Sequence, residues 1–116
     1  MRRQSYYLPL RFLLAGLVMA VLGAGCTEPV VLTDGGAKVQ IVDKLENPDA
    51  CKKLVNVMDV NATRDDPLGT YPEEIKMDVE HTARNKAAEL GATVIVPRGG
   101  IENGKQSFDV YACPAP

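Results

Sequence analysis

The sequence predicts a small α+β domain in the order β-β-α-β-β, one helix packed on a mainly antiparallel sheet. Three observations point there. Between residues 72 and 90 the apolar residues Ile75, Val79, Ala83, Ala87 and Leu90 recur at three- and four-residue spacings, one stripe of a helix. Short runs rich in β-branched residues flank that stripe, two before it and two after. Turn-forming residues punctuate the runs, Asn47-Pro48-Asp49 ahead of the helix and Asn103-Gly104 behind it.

Residues 38–43, Lys-Val-Gln-Ile-Val-Asp, alternate in part and predict a first strand. Residues 53–60 predict a second, with Leu54, Met58 and Val60 on one face and Val55 and Val57 on the other. Apolar residues on both faces fit a covered strand or one beside a partner. Residues 61–70 are rich in charge, proline and glycine and read as an exposed loop. The helix opens on Thr70-Tyr71-Pro72-Glu73, the pattern of a capping box with proline in the first turn. Its early turns hold Glu73, Glu74, Asp78 and Glu80, while Arg84 and Lys86 come later, which suits the helix dipole. Gly91 is placed to end it. Thr93-Val94-Ile95-Val96 is a continuous apolar run and predicts a buried central strand. After the Asn103-Gly104 turn, residues 107–113 alternate, with Phe108, Val110 and Ala112 facing one way.

The N-terminal region is of another kind. Arg2, Arg3 and Arg11 precede an apolar stretch over residues 12–22 that ends in small residues, and no acid occurs before Glu28. A basic start, a short apolar core and small residues at a cut site make a secretory signal. A membrane-spanning helix is the competing reading, but it needs roughly 20 apolar residues and this run is shorter. Gly23-Ala24-Gly25-Cys26 resembles the lipobox of bacterial lipoproteins, with Leu22 one place further out than the leucine usual there. The resemblance implies removal of residues 1–25 and acylation of Cys26, so that the chain is membrane-anchored through its N-terminal lipid. By resemblance to the enterobacterial sorting rule, Thr27 implies delivery to the outer membrane, with the domain facing the periplasm. Residues 26–36 are then expected to be a lipidated N-terminus and tether, and 37–116 the periplasmic domain.

With the signal removed, 91 of the 116 residues remain, enough for one small domain. Three of the 13 basic residues leave with it and none of the 15 acidic ones, so the remainder carries a formal net charge of −5. An acidic domain of this kind gives no reason to expect nucleic acid as a partner. Cys51 and Cys113 are left, in a domain small enough to need a staple and in an oxidising compartment, and are expected to form a disulfide. A catalytic or metal-binding pair is the alternative. It lacks a Cys-x-x-Cys spacing, and His81 is the single histidine.

No constellation for chemistry emerges. Ser107, His81 and Asp109 are the materials for a triad, without a nucleophile elbow. Asp59, Asn61, Thr63 and Asp65 hint at a calcium loop, but Arg64 stands where its glycine should be and Thr70 where its glutamate should be. No metal, cofactor or enzymatic activity is expected. Asn85 stands out because asparagine is an indifferent helix former. Its expected role is a packed amide bonding to a neighbouring loop, with ligand recognition as the alternative.

Arg84-Asn85-Lys86-Ala87-Ala88, then Gly91, Val94-Ile95 and Val110-Tyr111-Ala112-Cys113-Pro114, together resemble a family of small uncharacterised enterobacterial lipoproteins that includes YjeI. More distantly the chain is similar to RcsF, an outer-membrane stress-sensing lipoprotein, though it has one cysteine pair instead of two and no long proline-rich tether. The resemblance implies an envelope lipoprotein of unknown molecular function, expected to be a non-enzymatic binding or maintenance module. Its partner would be an envelope protein, met through a sheet edge or the 61–71 loop. A stress sensor and a cryptic hydrolase are the alternatives.

Overall fold

The computed structural model describes residues 29–115; the signal segment, Cys26 and the first residues after it lie outside the described residues. A short helix α1 (Asp34–Ala37) is followed by β1 (Gln40–Ile41), a 3-10 turn (Pro48–Ala50), β2 (Lys52–Asn61), the long helix α2 (Pro72–Glu89), β3 (Val94–Pro97) and β4 (Lys105–Ala112). The four strands form one sheet in the order β1-β3-β4-β2. β3 and β4 form an antiparallel hairpin, β2 pairs antiparallel with β4, and β1 runs parallel to β3. The fold is therefore α+β, with one main helix on a mixed sheet.

α2 forms because its apolar stripe has something to bury. Ile75, Val79, Ala83 and Ala87 meet Met58, Val60, Ile95, Phe108 and Val110 from the sheet in a single core. The helix ends in a Schellman motif. Gly91 is left-handed at φ 81°, its N–H bonds the Ala88 carbonyl, and the Ala92 N–H bonds that of Ala87. Leu90 does not complete the stripe. It is 46% exposed, and buried Ala92 lies under the cap in its place. The expected capping box is not formed either: Tyr71 is the N-cap and makes no side-chain cap bond. Asp66, from the preceding loop, instead accepts from the Thr70 and Tyr71 N–H groups.

Two expected boundaries move. The first strand shrinks to two residues, since the Lys38 and Val39 N–H groups bond back to Gly35 and Gly36 and complete α1. Nor do residues 33–36 act as a free tether. They form the N-cap and first turns of α1, which packs on α2. In β2 the expected alternation breaks at two register shifts, between Lys53 and Val55 and between Val55 and Met58. Leu54 and Val55 thus both pack at the core margin while Val57 is exposed. β2 is an uncovered edge strand whose lysines guard it against chance pairing. Asn103 and Gly104 both have positive φ, as a type I′ turn requires. A disulfide joins Cys51 to Cys113, tying the entry of β2 to the exit of β4.

Candidate functional site

The groups that sequence reading singled out on α2 converge on the N-terminal segment. Asn85 Oδ1 accepts from the Thr33 N–H at 2.9 Å and from Thr33 Oγ1 at 3.0 Å, and Asn85 Nδ2 donates to the Val31 carbonyl at 2.8 Å. The amide oxygen and one N–H of that side chain thus face a single short segment, Val31 to Thr33. One turn earlier, His81 Nδ1 lies 2.9 Å from the Val30 carbonyl; a carbonyl can only accept, so Nδ1 carries the proton. Arg84 donates through Nε to the Val39 carbonyl at 2.9 Å and through its terminal nitrogen to Ala37 at 3.1 Å.

The segment fits the helix closely because of its glycines. Thr33 Oγ1, while donating to Asn85, accepts from the Gly36 N–H and so caps α1. A Cβ on Gly36 would collide with Asn85 Oδ1, and one on Gly35 would meet Ala88 Cβ at 3.3 Å. The Arg84-Asn85-x-Ala87-Ala88 motif thereby resolves into parts. Arg84 and Asn85 hold backbone, Ala87 enters the core, and Ala88 leaves room for Gly35. Together they form a clasp for residues 30–39.

A second polar feature was not foreseen. Asp78, read from the sequence as one of the acids in the early turns of α2, is 6% exposed. Its carboxylate accepts from the Thr63 N–H and hydroxyl and from the Arg64 N–H, pinning the start of the 62–71 loop to the helix. The signal available was its phase: Asp78 lies beside Val79 on the helix flank that carries Ile75.

Ser107, His81 and Asp109 are not brought together. Phe108 and Val110 point at α2, so alternation sends Ser107 and Asp109 to the opposite face of the sheet. There Ser107 donates to Asp59, and Asp109 Oδ1 sits 3.2 Å from both Lys53 Nζ and Arg98 Nε, as an ion-paired oxygen without an aligned hydrogen bond. Two of the four residues of the calcium hint have other partners, Asp59 with Ser107 and Thr63 with Asp78. Among the described residues, no group of three or more acidic, histidine or cysteine side chains is arranged to hold a metal. An open cleft of about 1070 Å³ separates the 62–71 loop and the start of α2 from the β3–β4 hairpin. Its lining is mixed, with Arg64 and Lys76 beside Asp66 and Glu80, amides from Asn61 and Gln106, and Ile75 and Ile101.

Fold and clasp define a helix-on-sheet domain with a docked N-terminal arm. The chain belongs to the family described as a domain of unknown function, DUF4156, whose match covers residues 30–113. That span opens at Val30, the first residue the clasp holds, and closes at the disulfide cysteine Cys113. No curated protein and no solved structure matches the chain. Among the described residues, no helix is long and apolar enough to cross a membrane.

Proposed function

We propose that this chain is a bacterial envelope lipoprotein, acylated on Cys26 and held at the outer membrane, whose domain is a non-enzymatic binding or maintenance module. The observation that carries the reading is where the folded unit begins. Val30 is already bonded to α2, four residues beyond Cys26. Four residues span at most about 14 Å, so a lipid on Cys26 would hold the domain against the bilayer. The basic, apolar and small-residue order of the first 26 positions, and the likeness to the lipoprotein family that includes YjeI, support the same reading. The partner-facing surface in this proposal is the hairpin wall of the cleft, where Ile101 and the amides of Asn61 and Gln106 suit another envelope protein.

Intact-mass measurement of the protein from native membranes tests the anchor. A mature chain beginning at Cys26 with an acyl increment is expected, and an unacylated mass overturns the reading. In-cell crosslinking tests the module, and recovery of no protein partner counts against it. An RcsF-like stress sensor is a second reading, favoured by the clasp, because a pull on the anchor would load His81 and Asn85 first. It requires the crosslinked partner to change when the envelope is perturbed.

A further inference from the structure

We propose that the end of the domain carrying Leu68, Tyr71 and Met77 is a second membrane contact on the bilayer that holds the anchor; this rests on the reading of Cys26 as a lipidated terminus. The direction of the clasped segment is the first argument. Gly35 meets Ala88, Val31 and Thr33 meet Asn85, and Val30 meets His81. Followed toward its N-terminus, the chain therefore travels along α2 toward the start of that helix. One turn beyond His81 in that direction is Met77, 57% exposed. Beyond it lie Tyr71 at the N-cap and Leu68, which is 88% exposed and sits in the loop that Asp66 ties to the Thr70 and Tyr71 N–H groups.

Reach is the second argument. From Val30 to Cys26 the chain spans at most about 14 Å, and α2 rises about 14 Å between His81 and Pro72. A terminus fixed at Val30 thus has no slack to carry the domain clear of the surface. Apolar placement is the third. Of the six exposed large apolar side chains among the described residues, Leu68, Tyr71 and Met77 lie at this end, while Val31 is held further along at Asn85, Val57 is on β2 and Leu90 at the far end of α2. Charge selects the lipid. Asp65, Asp66, Glu73 and Glu74 outnumber Arg64 and Lys76 there, so zwitterionic headgroups fit and an anionic surface is repelled.

The chain contains no tryptophan, so one introduced indole reports from one place. The lipidated mature protein would be reconstituted into zwitterionic vesicles bearing brominated acyl chains, as Met77→Trp, Leu68→Trp or Val57→Trp. Quenching and a blue shift at positions 77 and 68, with neither at 57, are expected, and anionic lipid should weaken both. Equal behaviour at all three positions, in protein whose mass shows the acyl increment, overturns the contact and leaves the anchor standing. Absence of the increment removes the anchor, and the contact with it.

Discussion

Asn85 makes three hydrogen bonds to residues more than fifty positions away, and no other side chain on α2 makes as many to that segment. Asn85→Ala hands the exposed Val31 carbonyl and Thr33 N–H to water, at a cost of about 0.5–1.5 kcal/mol. Urea unfolding should show that loss, and limited proteolysis should cut first near residues 30–37. Gly36→Ala drives a methyl group into Asn85 Oδ1 and should cost about 1–3 kcal/mol. Because the two changes injure one contact, the double variant should lose less than the sum of the singles; strict additivity would show that they act apart. The Thr63 and Arg64 N–H groups share one Asp78 oxygen, and Asp78→Asn removes the charge that strengthens both bonds. Faster hydrogen exchange at the Thr63 and Arg64 amides, with little change elsewhere, is the expected readout. Asn85 could be picked out from sequence because asparagine sits poorly in a helix interior. Its partners could not, since Thr33, Gly35 and Gly36 have the composition of a linker and acquire a role only once α2 is beside them.

At the scale of elements, what is local was legible. The α2 stripe, Gly91 and Asn103-Gly104 each encode their geometry within a few residues, and apart from Leu90 at the end of the stripe each forms where expected. What depends on distant chain was not. The Thr70–Glu73 pattern matches a capping box, yet the Asp66 carboxylate takes the amides at the helix start. β2 carries two bulges that the alternation of its side chains does not announce. β1 is short because α1 takes its first residues, and α1 exists because Asn85 and Ala88 receive it. The helix terminus offers a clean check. At Gly91 an added Cβ would meet nothing within 4 Å, so Gly91→Ala isolates the cost of a left-handed backbone. That cost is about 1 kcal/mol, read as a lower urea midpoint with an unchanged m-value.

For the molecule as a whole, the small core leaves stability dependent on the Cys51–Cys113 bond. It closes 62 residues of chain, and its loss should cost up to about 4 kcal/mol by loop-closure entropy. The Cys51→Ser/Cys113→Ser variant, or the native protein under reductant, should melt lower by an amount that calorimetry reads directly. The pairing was legible from the cysteine count and the oxidising compartment that the sequence led one to expect, whereas nothing local in the sequence shows β1 beside β3 in parallel.

The clasp has one more consequence, in time and not in space. Its hydrogen bonds join residues 45 to 54 positions apart, and closures of that span come late because the intervening chain must first be gathered in. A growing polypeptide that stops short of residue 81 offers Val30 nothing to hold. Until the long helix has emerged and folded, the leading end stays loose and open to whatever enzymes handle it.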